Sequence, residues 1–135
     1  MQSPPTDAPT TVGSVMHAGV VTCPPDASLR TVAGLLAEHG IHAVVVVTPD
    51  EAGPCAVVTD RDIISAHATG RLDRLSARDA ASEPTLTVRE SLDLRSASEL
   101  MSRHGSTHIV VTAADDRRPI GIVSSLDIAR AIGQN

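Results

Sequence analysis

The chain contains no phenylalanine, tyrosine or tryptophan. No base or sugar can therefore stack on an aromatic ring of this protein, which removes the usual platform for single-stranded nucleic acid. Lysine is absent too, and all 11 basic residues are arginine. A P-loop lysine, a Schiff-base lysine and a kinase-type lysine are excluded on that ground alone. The formal net charge is −5 and no basic run occurs, so an electrostatic grip on nucleic acid or an anionic membrane is not expected. The longest aliphatic stretch, Ala43 to Val47, falls far short of the ~20 residues that span a bilayer. Met1 to Asp7 offer neither a cationic start nor an apolar segment, so no secretory signal is read there, and a cytoplasmic location is the expectation. Cysteine is limited to Cys23 and Cys55, without CxxC spacing. Buried apolar thiols are the simpler reading; a redox-responsive pair requires a proximity that spacing does not reveal.

What is present is a globular composition, 41% apolar and 20% charged over 135 residues, enough for one compact domain or two very small ones. Two strings stand out: Ala56-Val57-Val58-Thr59-Asp60-Arg61-Asp62-Ile63 and Gly121-Ile122-Val123-Ser124-Ser125-Leu126-Asp127-Ile128. Each runs from a buried apolar strand through a hydroxyl residue to an aspartate three positions on, then into an apolar helical pattern. They lie 65 residues apart. The same offset carries the helical stripe Leu29, Val32, Leu35 and Leu36 onto Leu94, Ala97, Leu100 and Met101. It also carries His39-Gly40 onto His104-Gly105, and Val44-Val45-Val46 onto Ile109-Val110-Val111. The chain is a duplicated unit.

Each copy reads as β-α-β-β-α. In the first, a helical turn at Ser14-Val15-Met16 precedes a strand over Gly19 to Cys23 that Pro24-Pro25 stops. Asp26 or Ser28 caps a helix ending near His39 at Gly40. Strands over Ala43 to Thr48 and Cys55 to Val58 follow, then a helix from near Asp60. In the second copy, Pro84 to Val88 is the first strand and Ser125 to Ile132 the last helix. The expected organisation is a flexible Pro/Thr-rich tail over residues 1–11, repeats over 12–70 and 77–135, and a polar linker over 71–76. A unit of roughly 60 residues is marginal alone, and valine runs without polar alternation imply strands covered on both faces. The fold class is mixed α/β (α+β): two repeats packed sheet against sheet with pseudo-two-fold symmetry, each depending on the other.

This order, with a strand–hydroxyl–x–x–Asp–helix signature in each copy, resembles a tandem pair of cystathionine-β-synthase (CBS) domains over about Val12 to Ile132. No catalytic domain accompanies the repeats, so the chain is similar to the small stand-alone CBS-pair proteins of bacteria. The resemblance implies a non-catalytic, regulatory, energy-sensing module with two clefts between the sheets. These would take AMP, ADP, ATP or S-adenosylmethionine, with no cofactor required. It further implies a homodimer that signals to a separate protein partner. By position, Asp62 and Asp127 would accept hydrogen bonds from both ribose hydroxyls, and Thr59 and Ser124 would face phosphate or ribose. The chemistry agrees, since an ionised carboxylate presents two acceptor oxygens to a vicinal diol, and a helix start offers N–H groups and positive dipole to a phosphate. Arg61 would add a cationic fork. Val21, His42, Ala43 and His108 match the family's adenine-facing walls.

The copies differ in ways that imply unequal sites, the first being the better. Leu126 stands at the position of Arg61, with Arg130 one turn on as a substitute cation, and Gly121 stands at that of Ala56, whose methyl is expected near the first cleft. Glu83, in the polar stretch Asp79 to Glu83, would repel a phosphate if it lined a cleft. A plainer reading exists for each feature. Thr59…Asp62 and Ser124…Asp127 are also capping-box patterns, a role compatible with ligand contact because a capping hydroxyl keeps a second lone pair. The six histidines show no HxxxH or HxH pair and read as exposed or capping groups rather than a zinc or pH-sensing site. Asp115-Asp116-Arg117-Arg118 reads as a solvated turn. No nucleophile elbow or oxyanion loop occurs, so no enzyme is expected. The alternative function is a ligand-poor structural or stress-response interaction protein, with redox or metal sensitivity through Cys23/Cys55 or the histidines.

Overall fold

The computed structural model describes residues 10–50 and 53–134. The elements in chain order are α1 (Val12–Val15), β1 (His17–Ala18), β2 (Thr22–Cys23), α2 (Leu29–His39), β3 (Ala43–Val47), β4 (Pro54–Thr59) and α3 (Asp60–Ala68). The second half contributes α4 (Ala77–Ala80), β5 (Thr87–Arg89), α5 (Leu94–His104), β6 (His108–Thr112), β7 (Pro119–Ser124) and α6 (Ser125–Gly133). The long helices begin and end where local chemistry dictates. The Ser28 side chain accepts from the Thr31 N–H to start α2, and Asp93 accepts from the Ser96 N–H to start α5. Gly40 and Gly105 end these helices at φ 61° and 65°, a left-handed conformation that a Cβ would strain.

The strands form two sheets, β2-β3-β4 and β1-β7-β6-β5. In each, a parallel strand and an antiparallel strand flank the valine-rich centre, β3 or β6. Successive side chains of these strands point to opposite faces. Val44 and Val46 join a core with Val32, Leu36 and Val58 beneath the first pair of helices. Ala43 and Val45 instead meet Val57 and Val110 in a middle core between the sheets. A third core holds Ala97, Met101, Ile109, Val111, Val123 and Ile128 beneath α5 and α6. Both faces of each sheet are covered, as the unalternating valine runs require.

The repeats exchange their opening segments. The Val12 and Gly13 N–H groups donate to the carbonyls of Leu92 (2.8 Å) and Glu90 (2.9 Å), and Val12 is fully buried in the second helix-side core. In return the Ala77 and Arg78 N–H groups donate to the carbonyls of Ala27 (2.9 Å) and Pro25 (3.1 Å), and Ala77 is fully buried in the first core. Each core is therefore completed by a helix from the other repeat, which supplies apolar area that a unit this small lacks.

Sequence and structure part at the repeat openings. The first strand shrinks from Gly19–Cys23 to Thr22–Cys23, because Gly19 takes φ 79° and the chain turns there. The second moves from Pro84–Val88 to Thr87–Arg89. Ladder contacts still begin earlier, with Val21 and Leu86 carbonyls accepting from the Val45 and Val110 N–H groups at 3.0 and 2.8 Å. The two-residue β1, antiparallel to β7, is too short to leave a period in the sequence. Residues 1–9 of the expected tail lie outside the described residues; Thr10 and Thr11 are tied to the second repeat through the Leu94 N–H and a bridge to Asp93.

Candidate functional site

The two signature aspartates occupy equivalent places. Asp62 and Asp127 are 4% and 7% exposed, each at the third position of its helix. Both complete capping boxes. The Thr59 and Ser124 N–H groups donate to Oδ2 of Asp62 (2.9 Å) and Asp127 (2.8 Å), while the Asp62 and Asp127 N–H groups donate to the Thr59 and Ser124 hydroxyls. The structural role of the signature is thus present in both copies.

The second oxygen of each carboxylate faces the other repeat. The Ser82 hydroxyl donates to Asp62 Oδ1 at 2.6 Å, and His17 Nε2 lies 2.9 Å from Asp127 Oδ1. Ser82 and His17 are themselves related by the 65-residue offset. Each buried carboxylate therefore cross-braces the two repeats, one oxygen held by its own helix start and one by its partner repeat's opening segment. A further hydroxyl approaching Oδ1 therefore meets the brace there first. Nothing in the single residues flagged this brace, since histidine and serine do not look like equivalents; only the offset connects them.

The other predicted residues differ in burial. Thr59 is buried and Ser124 half-buried behind their caps. Ala43 is buried in the middle core, whereas Val21 is half-buried against the first helix-side core, its carbonyl accepting from the Val45 N–H; its neighbour Val20 is the one that meets the middle core. His42 is exposed, with Nδ1 2.8 Å from Asp60 Oδ2, a contact that holds the Asp60 carboxyl below the ordinary range. His108 is half-buried, and burial pushes its imidazole down, partly opposed by the carboxylates of Glu83, Asp60 and Asp127. His42, Asp60, Glu83, His108 and Asp127 thus share one electrostatic neighbourhood. Glu83 is already engaged, accepting from the Thr107 N–H (2.7 Å) and hydroxyl (2.6 Å). Arg61 projects from the first turn of α3, exposed, and Arg130 is exposed on α6.

One expectation is corrected. The Ala56 methyl lies in the first helix-side core rather than in a cleft. At the equivalent Gly121, a Cβ would stand 2.4 Å from Met16 Sδ and 3.0 Å from the His17 carbonyl oxygen. Ala81, the counterpart of Met16, packs against the first core instead. Glycine with methionine in one repeat and alanine with alanine in the other fill comparable space, so this difference is a packing exchange.

Cys23 and Cys55 sit on β2 and β4, the strands flanking β3. Two strand spacings put their backbones about 9–10 Å apart, beyond the Cα separation a disulfide bridges. Burial, reinforced by Cys55, pushes the Cys23 thiol up to about 11. Among the described residues no group of three or more His, Cys, Asp or Glu side chains is placed to hold a metal ion, and no helix is long and apolar enough to cross a membrane.

The family model for the CBS domain matches the chain twice, over residues 12–69 and 77–134. The MK0525 protein of Methanopyrus kandleri is 34% identical over 119 residues, which cover 87% of this chain; the chain spans about 60% of that relative's length. The CBS domain pair of protein MJ0100, in complex with 5′-methylthioadenosine and S-adenosyl-L-methionine, has a TM-score of 0.82 at 24% identity, covering 93% of this chain and 98% of that one. That likeness is one of fold. The CBS domain protein PAE2072 of Pyrobaculum aerophilum, complexed with AMP, has a TM-score of 0.76 at 28% identity, covering 93% of this chain and 99% of that one.

Proposed function

This chain belongs to the CBS-domain family, and from that premise we propose that it is a non-catalytic regulatory module binding an adenosyl ligand at the seams between its repeats. The observation that carries the reading is the pair of buried, cross-braced carboxylates. Asp62 and Asp127 offer a ribose diol the acceptor geometry it needs, at helix starts that favour a phosphate. The AMP complex of the Pyrobaculum relative supports the ligand class.

In this reading Asp62 holds the ribose at the first seam, Thr59 stands beside it, and Arg61 swings onto the phosphate, its exposed guanidinium being able to reach without breaking a packed contact. Asp127 and Ser124 serve the second seam, while His42, Ala43 and His108 face the base and Val21, packed on the helix-side core, stands behind that wall. A diol competing for Oδ1 displaces Ser82 or His17. Ligand binding then loosens a brace between repeats, a differential contact of the kind a population shift requires. The change passes to a second copy and onward to a separate protein partner in the cytoplasm. Ile64, Leu126 and Ile132, at 66%, 55% and 64% exposure on α3 and α6, supply apolar surface for the homodimer.

The lack of aromatic residues provides the test. Purified protein is nearly transparent at 280 nm, so a band near 260 nm reports a retained nucleotide directly. Calorimetric titration with AMP, ADP, ATP and S-adenosylmethionine should give saturable heat with at least one. A clean spectrum together with no heat from any of them overturns the reading.

A further inference from the structure

The segment that opens the second repeat, residues 82–85, is anchored unlike its counterpart in the first. There His17 and Ala18 form a ladder with Ile122 and Gly121, and the Gly19 N–H donates to the Ile120 carbonyl at 2.8 Å. At the 65-residue offset Gly19 corresponds to Pro84, which has no N–H to give. The Cys55 carbonyl, counterpart of Ile120, accepts from the Thr85 hydroxyl instead, at 3.1 Å. Among the described residues no backbone-to-backbone hydrogen bond involves residues 82–85. Hydrogen bonds from three side chains, Ser82, Glu83 and Thr85, tie this strap down.

The first two anchors reach different seams. Ser82 donates to Asp62 Oδ1 at the first seam (2.6 Å), and the next residue, Glu83, accepts from the Thr107 N–H (2.7 Å) and hydroxyl (2.6 Å). Thr107 belongs to the second seam. Its carbonyl accepts at 2.9 Å from the N–H of Ser125, the first residue of α6 and neighbour of the Ser124–Asp127 capping box. His108, the residue after it, lies in the field of both Glu83 and Asp127. A continuous polar chain thus runs from Asp62 through Ser82, Glu83 and Thr107 to the helix start that holds Asp127. The first repeat has no counterpart, because Ala18 and His42 stand at the positions of Glu83 and Thr107.

Building on the seam reading, we propose that this strap couples the two seams, so that filling the first makes the second easier to fill. A ribose hydroxyl that takes Asp62 Oδ1 displaces Ser82. With no ladder to hold it, the strap lifts and carries Glu83 off Thr107. Two things then change at the second seam. The Thr107 N–H and hydroxyl become free donors, and a carboxylate leaves a place where it opposes a phosphate. The first ligand thereby favours the lifted strap over the tied one, which is the differential interaction that coupling requires.

Two measurements on the full chain test the strap separately. Without ligand, amide exchange followed by NMR should show Thr107 exchanging about three- to tenfold faster in Ser82→Ala than in the wild type, although Ser82 itself bonds to Asp62. The neighbouring Ser106 amide, bonded to the Met101 carbonyl, should not change. With AMP, calorimetry should show a second binding event tightened by the first. Glu83→Ala, which copies Ala18, should abolish that coupling and by itself tighten the weaker event about three- to tenfold, more for AMP than for adenosine. Glu83→Gln, which keeps an acceptor and loses the charge, should give part of the gain. Unchanged Thr107 exchange in Ser82→Ala, independent AMP binding in the wild type, or coupling that survives Glu83→Ala overturns the proposal. So does a Glu83→Ala variant that weakens the second event, since Glu83 would then be a ligand contact. If no adenosyl ligand binds at all, the seam reading falls, and Thr107 exchange still decides whether Ser82 and Glu83 move as one.

Discussion

At the first seam a serine braces Asp62 across the repeats at 2.6 Å; at the second a histidine, 68% exposed, braces Asp127 at 2.9 Å. Behind those braces the two copies repeat the same contacts. Both carboxylates are buried, both complete a capping box, and the Asp60 and Ser125 N–H groups donate to the His42 and Thr107 carbonyls at 3.0 and 2.9 Å. Differences gather outside that frame: Arg61 against Leu126, Ala56 and Ala81 against Gly121 and Met16, His42 against Thr107. The contacts that set the backbone are kept in duplicate, while the exposed groups around them, Arg61 against Leu126 and His42 against Thr107, and the core packing at Ala56 and Gly121 have diverged. The signature is therefore a folding device first, and any discrimination between ligands is layered on its periphery.

The sharpest way to break the comparison is to remove one carboxylate at a time. Two charge-assisted hydrogen bonds at about 1.5–3 kcal/mol each correspond to roughly a hundredfold or more in affinity. Asp62→Ala should cost that much in calorimetric titration with the best adenosyl ligand, because only the first seam has Arg61. Asp127→Ala should alter only a weaker class of binding. Equal losses, or none, would dissolve the distinction between the seams. Arg61→Leu, which copies the second repeat, should reduce affinity for AMP more than for adenosine if the guanidinium meets phosphate.

The packing exchange gives the next largest effect. Gly121→Ala drives a methyl into Met16 Sδ and the His17 carbonyl and should cost about 1–3 kcal/mol in urea unfolding. Adding Met16→Ala, which recreates the first repeat's alanine pair, should recover part of that loss. Independent, additive effects of the two changes would show that the residues do not share the space.

The duplicated frame was legible because its parts are periodic or local. The offset relates whole helical stripes, the capping boxes span three residues, and Gly40 and Gly105 announce helix ends. The exchange of α1 and α4 was not legible, since a four-residue helix held by backbone bonds to Leu92, Glu90, Ala27 and Pro25 leaves no pattern in side chains. The brace was hidden for a related reason. Its members are 110 and 20 residues from the carboxylates they hold, and their chemistry differs.

A titration separates the copies more gently. His108 replaces the first repeat's Ala43, and its imidazole is pushed below 6.5 by burial. A group whose folded value is lowered leaves the unfolded chain binding more protons, so its contribution is complete above about 6.5 and is lost as pH falls through the folded value. Asp60, lowered mainly by its hydrogen bond with His42, adds a second loss at more acid pH, below its ordinary 3.8. Urea midpoints measured from pH 7.5 downward should fall first through the histidine range, and His108→Ala should remove that first decline while keeping the acid one. If the decline between pH 7 and 5 survives the substitution, the second seam is not where it originates.

The smallest effect concerns the thiols, which only the first repeat has; Val88 and Ile120 stand in their places in the second. Cys23 is buried and its thiol is pushed up to about 11, so at neutral pH it carries almost no thiolate, the form that reacts. Cys55 is partly exposed. Iodoacetamide at pH 8 should therefore modify Cys55 first and reach Cys23 only when the chain unfolds, as peptide mass spectrometry would show. A mild oxidant should give no intramolecular disulfide, because β3 separates the two strands. Replacing both with the second repeat's residues, Cys23→Val and Cys55→Ile, should shift stability by less than about 1.5 kcal/mol and leave adenosyl binding intact. Rapid alkylation of Cys23 in the folded chain, or a clean Cys23–Cys55 disulfide, would instead make the first repeat's sheet a redox-responsive element and restore the alternative function as the stronger reading.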